Sequence, residues 1–311
     1  MSEKGNFVIK GKPIELHHVY PFRIGFISDL HIGAQHGIFP PDFKDEFGTR
    51  YDINEGQKIL WKYFDEYIAK LNEFKINVLV ILGDLIGGKN VKELGTYMMN
   101  VDLNGQQIPA AVKTLEYLCK KVPSIEKIII MRGTPYHGAR DTSVEDAISD
   151  KLYRALKGRI DVECRGEYTY LSLEYKGFKK VIWMAHPATG ATVYPETTLG
   201  RDIGWFLQAS AQGKLPQVDM IIRAHRHEFM ELHKSSIRYM ILPCWQFYVP
   251  YDKAVMNYSK WQPDIGGAIL LADEECRLRP FHFTYPNIVN PERFLTFNSK
   301  YGVQEKRLSK K

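Results

Sequence analysis

Residues 77–84 read Asn-Val-Leu-Val-Ile-Leu-Gly-Asp. Five apolar side chains in a row leave no polar face, so the run predicts a strand covered on both sides, as in the centre of a parallel sheet. The Gly-Asp that closes it sets a carboxylate at the strand's C-terminal end, the edge where open α/β sheets collect ligands.

The pattern repeats on either side. Residues 23–28 (Arg-Ile-Gly-Phe-Ile-Ser) predict a second short buried strand. Between the two, Asn54 is placed to cap a helix running to Asn72, in which Ile59, Leu60, Tyr63, Phe64, Tyr67, Ile68 and Leu71 recur at i, i+3, i+4 spacing. A helix over Ala110–Lys121, a strand over Lys127–Met131 and a helix over Ser143–Leu156 follow, the last with Ser143 and Asp146 as a capping box. Beyond Glu167 the texture turns to strands. Tyr168–Tyr175 and Lys179–Ala185 predict a hairpin about Lys176-Gly177, and Val218–Arg223, Ser236–Leu242 and Gly267–Ala272 predict further strands, with one helix near Leu199–Gln212. No Pro/Gly/Ser-rich linker divides the chain. The expected fold is α/β, with two sheets packed face to face as a sandwich and helices outside, in one domain over 1–290 followed by a basic tail over 291–311.

Composition narrows the function classes. The chain has 311 residues, 44% hydrophobic and 25% charged, proportions that support a sizeable core and exclude disordered and fibrous classes. Val78–Leu82 is the longest strongly apolar run, far below the ~18 residues of a membrane-spanning helix. The first twelve residues alternate charged and small polar groups where a secretory signal has a continuous apolar region, so the expected location is cytoplasmic, with no membrane partner. Cys119, Cys164, Cys244 and Cys276 are dispersed without a CxxC pair, as expected of reduced structural thiols. The net charge is +6, of which residues 300–311 supply +4, so the body is nearly neutral; the tail is either a sequence-independent attraction for phosphate backbones or a solvated end.

Five segments place a carboxylate or imidazole at a predicted strand end: Asp29 with His31, Asp84, His137, His186, and His225 with His227. Setting His137 aside, two Asp and four His without a thiolate suit Mn²⁺, and also Fe, Zn²⁺ or Ni²⁺, and exclude a thiolate zinc site or an all-oxygen calcium cage. In a strand-like segment residues i and i+2 point the same way, so Asp29 with His31, and His225 with His227, can each face one pocket. Asp84, with two oxygens, can bridge two metals about 3.5 Å apart, which would clamp a phosphate and supply a hydroxide near neutral pH. Alone, each residue has a commoner use as a turn, a cap or a surface group; the joint order carries the signal.

That order, DxH, then GD, then GxxxH, then H, then AHxH, resembles the calcineurin-like metallophosphoesterase superfamily over Asp29–His227, about two thirds of the chain. The resemblance implies a dinuclear metal-dependent phosphoesterase in which Asp29, His31, Asp84 and His227 hold one ion and Asp84, His186 and His225 the other. One motif departs from the pattern. Where the superfamily commonly has GNH[DE], this chain has Gly133-Thr134-Pro135-Tyr136-His137. Thr134 stands at the Asn position, and His137, two residues later than the family His, is either a metal ligand or the group that protonates the leaving oxygen. Arg132 and Arg140 flank this loop and, with Thr134, are candidates for phosphate contact. His36 is a weaker candidate for substrate contact, and Trp245, Phe247, Tyr248 and Tyr251 read as core aromatics before they read as a stacking platform.

The function expected is hydrolysis of phosphomono- or phosphodiesters, nucleotide- or nucleic-acid-related. The alternatives are a DNA nuclease of the Mre11/SbcD type, and a non-catalytic scaffold such as the retromer subunit of the same superfamily.

Overall fold

The run at 77–84 forms β2 (Val78–Leu82), paired in parallel with β1 (Phe22–Ile27) on one side and β3 (Lys127–Met131) on the other. The computed structural model describes residues 20–88, 106–137, 144–187, 195–234, 236–247, 262–287, 294–298 and 302–306. β4 (Asp161–Arg165) continues the parallel run past β3, while β10 (Ile265–Ala272) and β11 (Leu278–Tyr285) add antiparallel beside β1. The resulting sheet has the order β11-β10-β1-β2-β3-β4.

A second sheet is built from β5 (Tyr168–Tyr175), β6 (Phe178–Pro187), β7 (Met220–Ala224), β8 (Met230–Lys234) and β9 (Ile237–Ile241), in the order β5-β6-β7-β9-β8. β6, β7 and β9 are parallel. The hairpin expected around Lys176-Gly177 joins β5 to β6, both turn residues having positive φ (48° and 86°), as a two-residue turn matched to strand twist requires. β12 (Phe294–Asn298) and β13 (Gly302–Lys306) pair antiparallel inside the stretch expected as a tail.

The sequence of β2 explains the layering. Leu79 and Ile81 turn to one face and pack beneath α1 (Glu55–Glu73), α2 (Ile108–Lys121) and α3 (Val144–Ala155), with Leu60, Phe64, Leu115 and Ile148 in the same cluster. Val80 and Leu82 turn to the other face and meet Met184 and Ile222 of the second sheet. A strand buried on both faces has no polar position to spare, which is why it reads as a continuous apolar run. Ile128/Ile130 and Ile129/Met131 split the same way in β3. The outer face of the second sheet, through Trp183, Ile221 and Tyr239, receives Leu199, Ile203 and Phe206 of α4 (Pro195–Ala211). The architecture is therefore helix, sheet, sheet, helix, the two-sheet α/β fold expected. Each fully buried Leu, Ile or Phe in these layers contributes roughly 1.5–3 kcal/mol of transfer free energy.

Asn54 caps α1 as predicted: its side chain accepts the Gln57 amide at 2.9 Å while the Gln57 side chain accepts the Asn54 amide at 3.1 Å. The cap expected at Ser143 lies outside the described residues. Trp245 and Phe247 are buried in the core, Trp245 edge-on to Phe64 at 5.0 Å, while Tyr248 and Tyr251 lie outside the described residues. The four cysteines are free thiols. No helix among the described residues is long and apolar enough to cross a membrane.

Candidate metal centre

Asp29, His31, Asp84, His225 and His227 share a backbone state: φ of 52°, 45°, 46°, 73° and 57°, all left-handed. The region is unfavourable for residues with a Cβ and costs of order 1–3 kcal/mol each, so five instances at one place mark a site that the surrounding structure holds under strain. This corrects the strand geometry expected for the two pairs. β1 stops at Ile27 and β7 at Ala224, and both pairs lie in the loops just beyond. Their side chains still converge, because the residue between each pair is drawn elsewhere: Leu30 is buried in the core, and Arg226 is buried with its guanidinium donating to Thr198 Oγ1 at 3.3 Å.

The loops are held together by backbone bonds that prolong the β1–β2 pairing. The amides of Asp29, His31 and Ile32 donate to the carbonyls of Gly83, Asp84 and Leu85, each at 3.1 Å, and Trp245 N donates to Asp29 O at 3.0 Å. His186 arrives differently. It lies inside β6, where the register with β7 shifts between Met184 and Pro187, a bulge that re-aims its side chain. Two glycines are needed for the approach. A Cβ on Gly83 (φ 82°) would lie 2.5 Å from His186 Nδ1, and one on Gly133 would lie 2.1 Å from Asp84 Oδ1.

At the centre, Asp29 and Asp84 are buried together with His31 and His186. His186 Nδ1 is 2.5 Å from Leu82 O, so it carries a hydrogen, and Nε2 is 2.9 Å from Asp84 Oδ2. His225 Nδ1 stands 3.7 Å and His137 Nε2 4.0 Å from that same oxygen. Thr134 donates its amide to Asp84 Oδ1 at 2.6 Å, and its hydroxyl lies 3.1 Å from both oxygens. Asp29 Oδ2 is 2.6 Å from the Ser28 hydroxyl and accepts the His225 amide at 3.2 Å. Asp29 Oδ1 is buried and accepts no hydrogen bond among the described residues, yet Nε2 of His227, His186 and His31 stand 3.3, 3.7 and 3.8 Å away.

The electrostatics follow from this packing. Burial alone would push both carboxyls up, but the neighbouring imidazoles outweigh it, chiefly His186 and His227 for Asp29 and His186 and His137 for Asp84, and hold both below the usual carboxylate range. Burial pulls His186 down, and Asp84 and Asp29 more than reverse this, raising it to about 9. His227 is also raised well above its ordinary value, with Cys244 and Asp29 overcoming burial. His31 goes the other way, lowered by burial and by the nearby His137 and His227.

The side chains form three overlapping groups whose candidate ligand atoms lie within 4.8 Å of one another: Asp29, His31 and His227; Asp29, Asp84, His186 and His225; and His31, Asp84 and His137. The donor set fits a metal ion. Among the described residues, the two buried carboxylates face five imidazoles and no lysine or arginine at ion-pair distance, and Asp29 keeps an unsatisfied oxygen among three ring nitrogens. His31 Nε2 and His227 Nε2 are 3.2 Å apart, the span of two nitrogens each about 2.1 Å from one ion. The resemblance implies Asp84 as the shared carboxylate; by these groupings Asp29 is shared as well.

Two expected substrate contacts are directed elsewhere. The Arg132 guanidinium turns onto the start of α3 and pairs with Asp146 at 2.9 Å, and both donors of Thr134 face Asp84. Arg140 lies outside the described residues. His36 offers its carbonyl to Phe247 N at 2.8 Å. Several supporting residues carry no sequence signal: Ser28 beneath Asp29, Cys244 beside His227, and Glu145, a buried acid that accepts the Gly133 amide at 3.3 Å and whose pKa is raised by burial. Only the folded chain brings them to the site.

No family model and no curated protein matches the sequence. Solved structures do. An archaeal phosphodiesterase is 12% identical, with 84% of this chain and 100% of that one covered and a TM-score of 0.37. A Vps29 and a bacterial phosphoesterase are further solved neighbours. The Vps29 of Entamoeba histolytica complexed with zinc is 10% identical over 85% of this chain and 99% of its own, at a TM-score of 0.38. The E. coli phosphoesterase Yfce is 14% identical over 84% and 98%, at 0.37.

Proposed function

We propose that the cluster is a dinuclear metal centre that hydrolyses phosphoesters. The observation that carries this reading is the buried, hydrogen-bond-free Asp29 Oδ1, ringed by the Nε2 atoms of His31, His186 and His227 at 3.3–3.8 Å. Asp29, His31, Asp84 and His227 hold one divalent ion and Asp84, His186 and His225 the other, with Mn²⁺ the best match to the donors and Fe, Zn²⁺ or Ni²⁺ compatible. When bound, such ions supply Lewis acidity toward phosphoryl oxygens and make a water reactive near neutral pH.

The chain's own contribution is preorganisation. Thr134 and Ser28 orient the two carboxylates, and the Leu82 carbonyl fixes the His186 tautomer so that Nε2 faces inward. His137 presents Nε2 to the same space, as a ligand or as the group that passes a proton to the leaving oxygen. The substrate class is a phosphomono- or phosphodiester related to nucleotides or nucleic acids, acted on by a domain spanning 1–290. The test is hydrolysis of bis-p-nitrophenyl phosphate and p-nitrophenyl phosphate by protein stripped of metal and refilled with Mn²⁺. Metal-dependent turnover supports the reading and the preferred ester assigns the class; no turnover of either ester by the refilled protein contradicts it.

A further inference from the structure

We infer that His137 is a metal ligand, acting through Nε2 from the side of the cluster formed by His31 and Asp84. The inference rests on the metal-centre reading and assigns a role that reading leaves open.

The tautomer comes first. His137 Nδ1 is 2.8 Å from Gly87 O, and a carbonyl can only accept, so Nδ1 carries the hydrogen and the lone pair of the neutral ring is on Nε2. That atom points inward, 4.0 Å from Asp84 Oδ2, and the ring meets His31 edge-on at 4.4 Å between centroids. Nε2, a His31 nitrogen and an Asp84 oxygen lie within 4.8 Å of one another. An imidazole held by a backbone carbonyl at one nitrogen with the other turned toward a carboxylate and a second imidazole is the arrangement ligand histidines adopt. The side chain is only 12% exposed, so Nε2 faces His31 and Asp84 and not open solvent.

The scaffold behind the ring is equally specific. His137 N donates to Thr134 O at 3.1 Å, closing the turn that carries it. Gly88 (φ 68°) lies against the His137 backbone so closely that a Cβ would stand 2.6 Å from His137 Cα. The buried Gln107 amide brackets Gly88, accepting its N–H at 2.8 Å and donating to its carbonyl at 3.2 Å. The Gly87 carbonyl that pins the ring is therefore itself locked in place. Thr134 is not available for the same duty, since its amide and hydroxyl both face Asp84.

The experiment compares wild type, His137→Ala, His137→Gln and Asp84→Asn as full chains, stripped and titrated with Mn²⁺, reading ions per chain by elemental analysis and affinity by calorimetry, with circular dichroism as the check on folding. Both His137 variants are expected to bind Mn²⁺ at one position about 100-fold more weakly or to lose that ion, with free imidazole restoring binding to His137→Ala. Wild-type stoichiometry and affinity in a folded His137→Gln overturns the inference while leaving the metal centre standing. A wild type that binds no Mn²⁺ overturns both.

Discussion

Gly133 stands against Asp84 so closely that an added Cβ would lie 2.1 Å from the carboxylate Oδ1 and 2.2 Å from the Asp84 amide nitrogen. Neither atom is a flexible side-chain end: the carboxylate is buried and hydrogen-bonded to Thr134, and the amide belongs to a residue with φ of 46°. Gly133→Ala should therefore displace Asp84, costing about 1–3 kcal/mol of stability in urea unfolding and weakening Mn²⁺ binding. Gly166→Ala, where a Cβ meets nothing within 4 Å, is the control and should change neither.

Asp84→Asn keeps the shape of the side chain and removes its charge. Asp84 is 2.9 Å from His186 Nε2 and belongs to two of the three ligand groups. Loss of turnover by a factor of at least about 1,000 is expected, with ion content below that of wild type, measured by phosphodiester hydrolysis alongside elemental analysis. Full turnover with normal ion content would remove Asp84 from the bridging role. His36→Ala should lose far less.

The stability of metal-stripped protein should depend on pH with a defined sign. His186 is raised to about 9 from 6.5 by Asp84 and Asp29 against burial, so its contribution is fully present below pH 6.5 and is lost as pH rises through about 9. His227, also raised, acts in the same direction. The depressed carboxyls lose their contributions only at acid pH, and the depressed His31, whose contribution is lost as pH falls through 6.5, offsets the loss from His186 and His227 only in part and only at the start of this limb. Thermal unfolding of stripped protein should show a declining Tm between pH 6.5 and 9, worth up to about 3 kcal/mol. With Mn²⁺ in excess the decline should vanish, because a ligating nitrogen carries no proton.

Tyr67 ties a helix to the central sheet. Its buried hydroxyl lies 2.7 Å from Ala268 O and 3.0 Å from Phe26 O, opposite residues on β10 and β1. Tyr67→Phe leaves both carbonyls without that donor and should cost about 1–2 kcal/mol in urea unfolding, with no change in ion content.

The sheet interior and the β5–β6 hairpin were legible; the other three sheet edges were not. β1, β2, β3, β7, β9 and β10 are apolar enough to be read from residues 22–27, 78–82 and their counterparts, because both faces are covered. β4 (Asp-Val-Glu-Cys-Arg), β8 (Met-Glu-Leu-His-Lys) and β11, with Pro280 inside it, are sheet edges, half-exposed and polar, and their pairing depends on a neighbour distant in sequence. At the site, the order of Asp29, His31, Asp84, His186, His225 and His227 was legible, and their convergence followed from the strand-end rule. The left-handed backbone was not, since alternation of i and i+2 was argued from strand geometry and the chain had already left the strand. The partners of Thr134 and Arg132 were equally hidden, because Asp84 and Asp146 reach them only through the fold.

The most direct test of the account is anomalous diffraction from crystals grown with Mn²⁺, collected on either side of the metal absorption edge. Two peaks about 3.5 Å apart are expected, one within bonding distance of Asp29, His31, Asp84 and His227 and the other of Asp84, His186 and His225. Fully ordered side chains at all six positions with no anomalous peak among them would contradict the account.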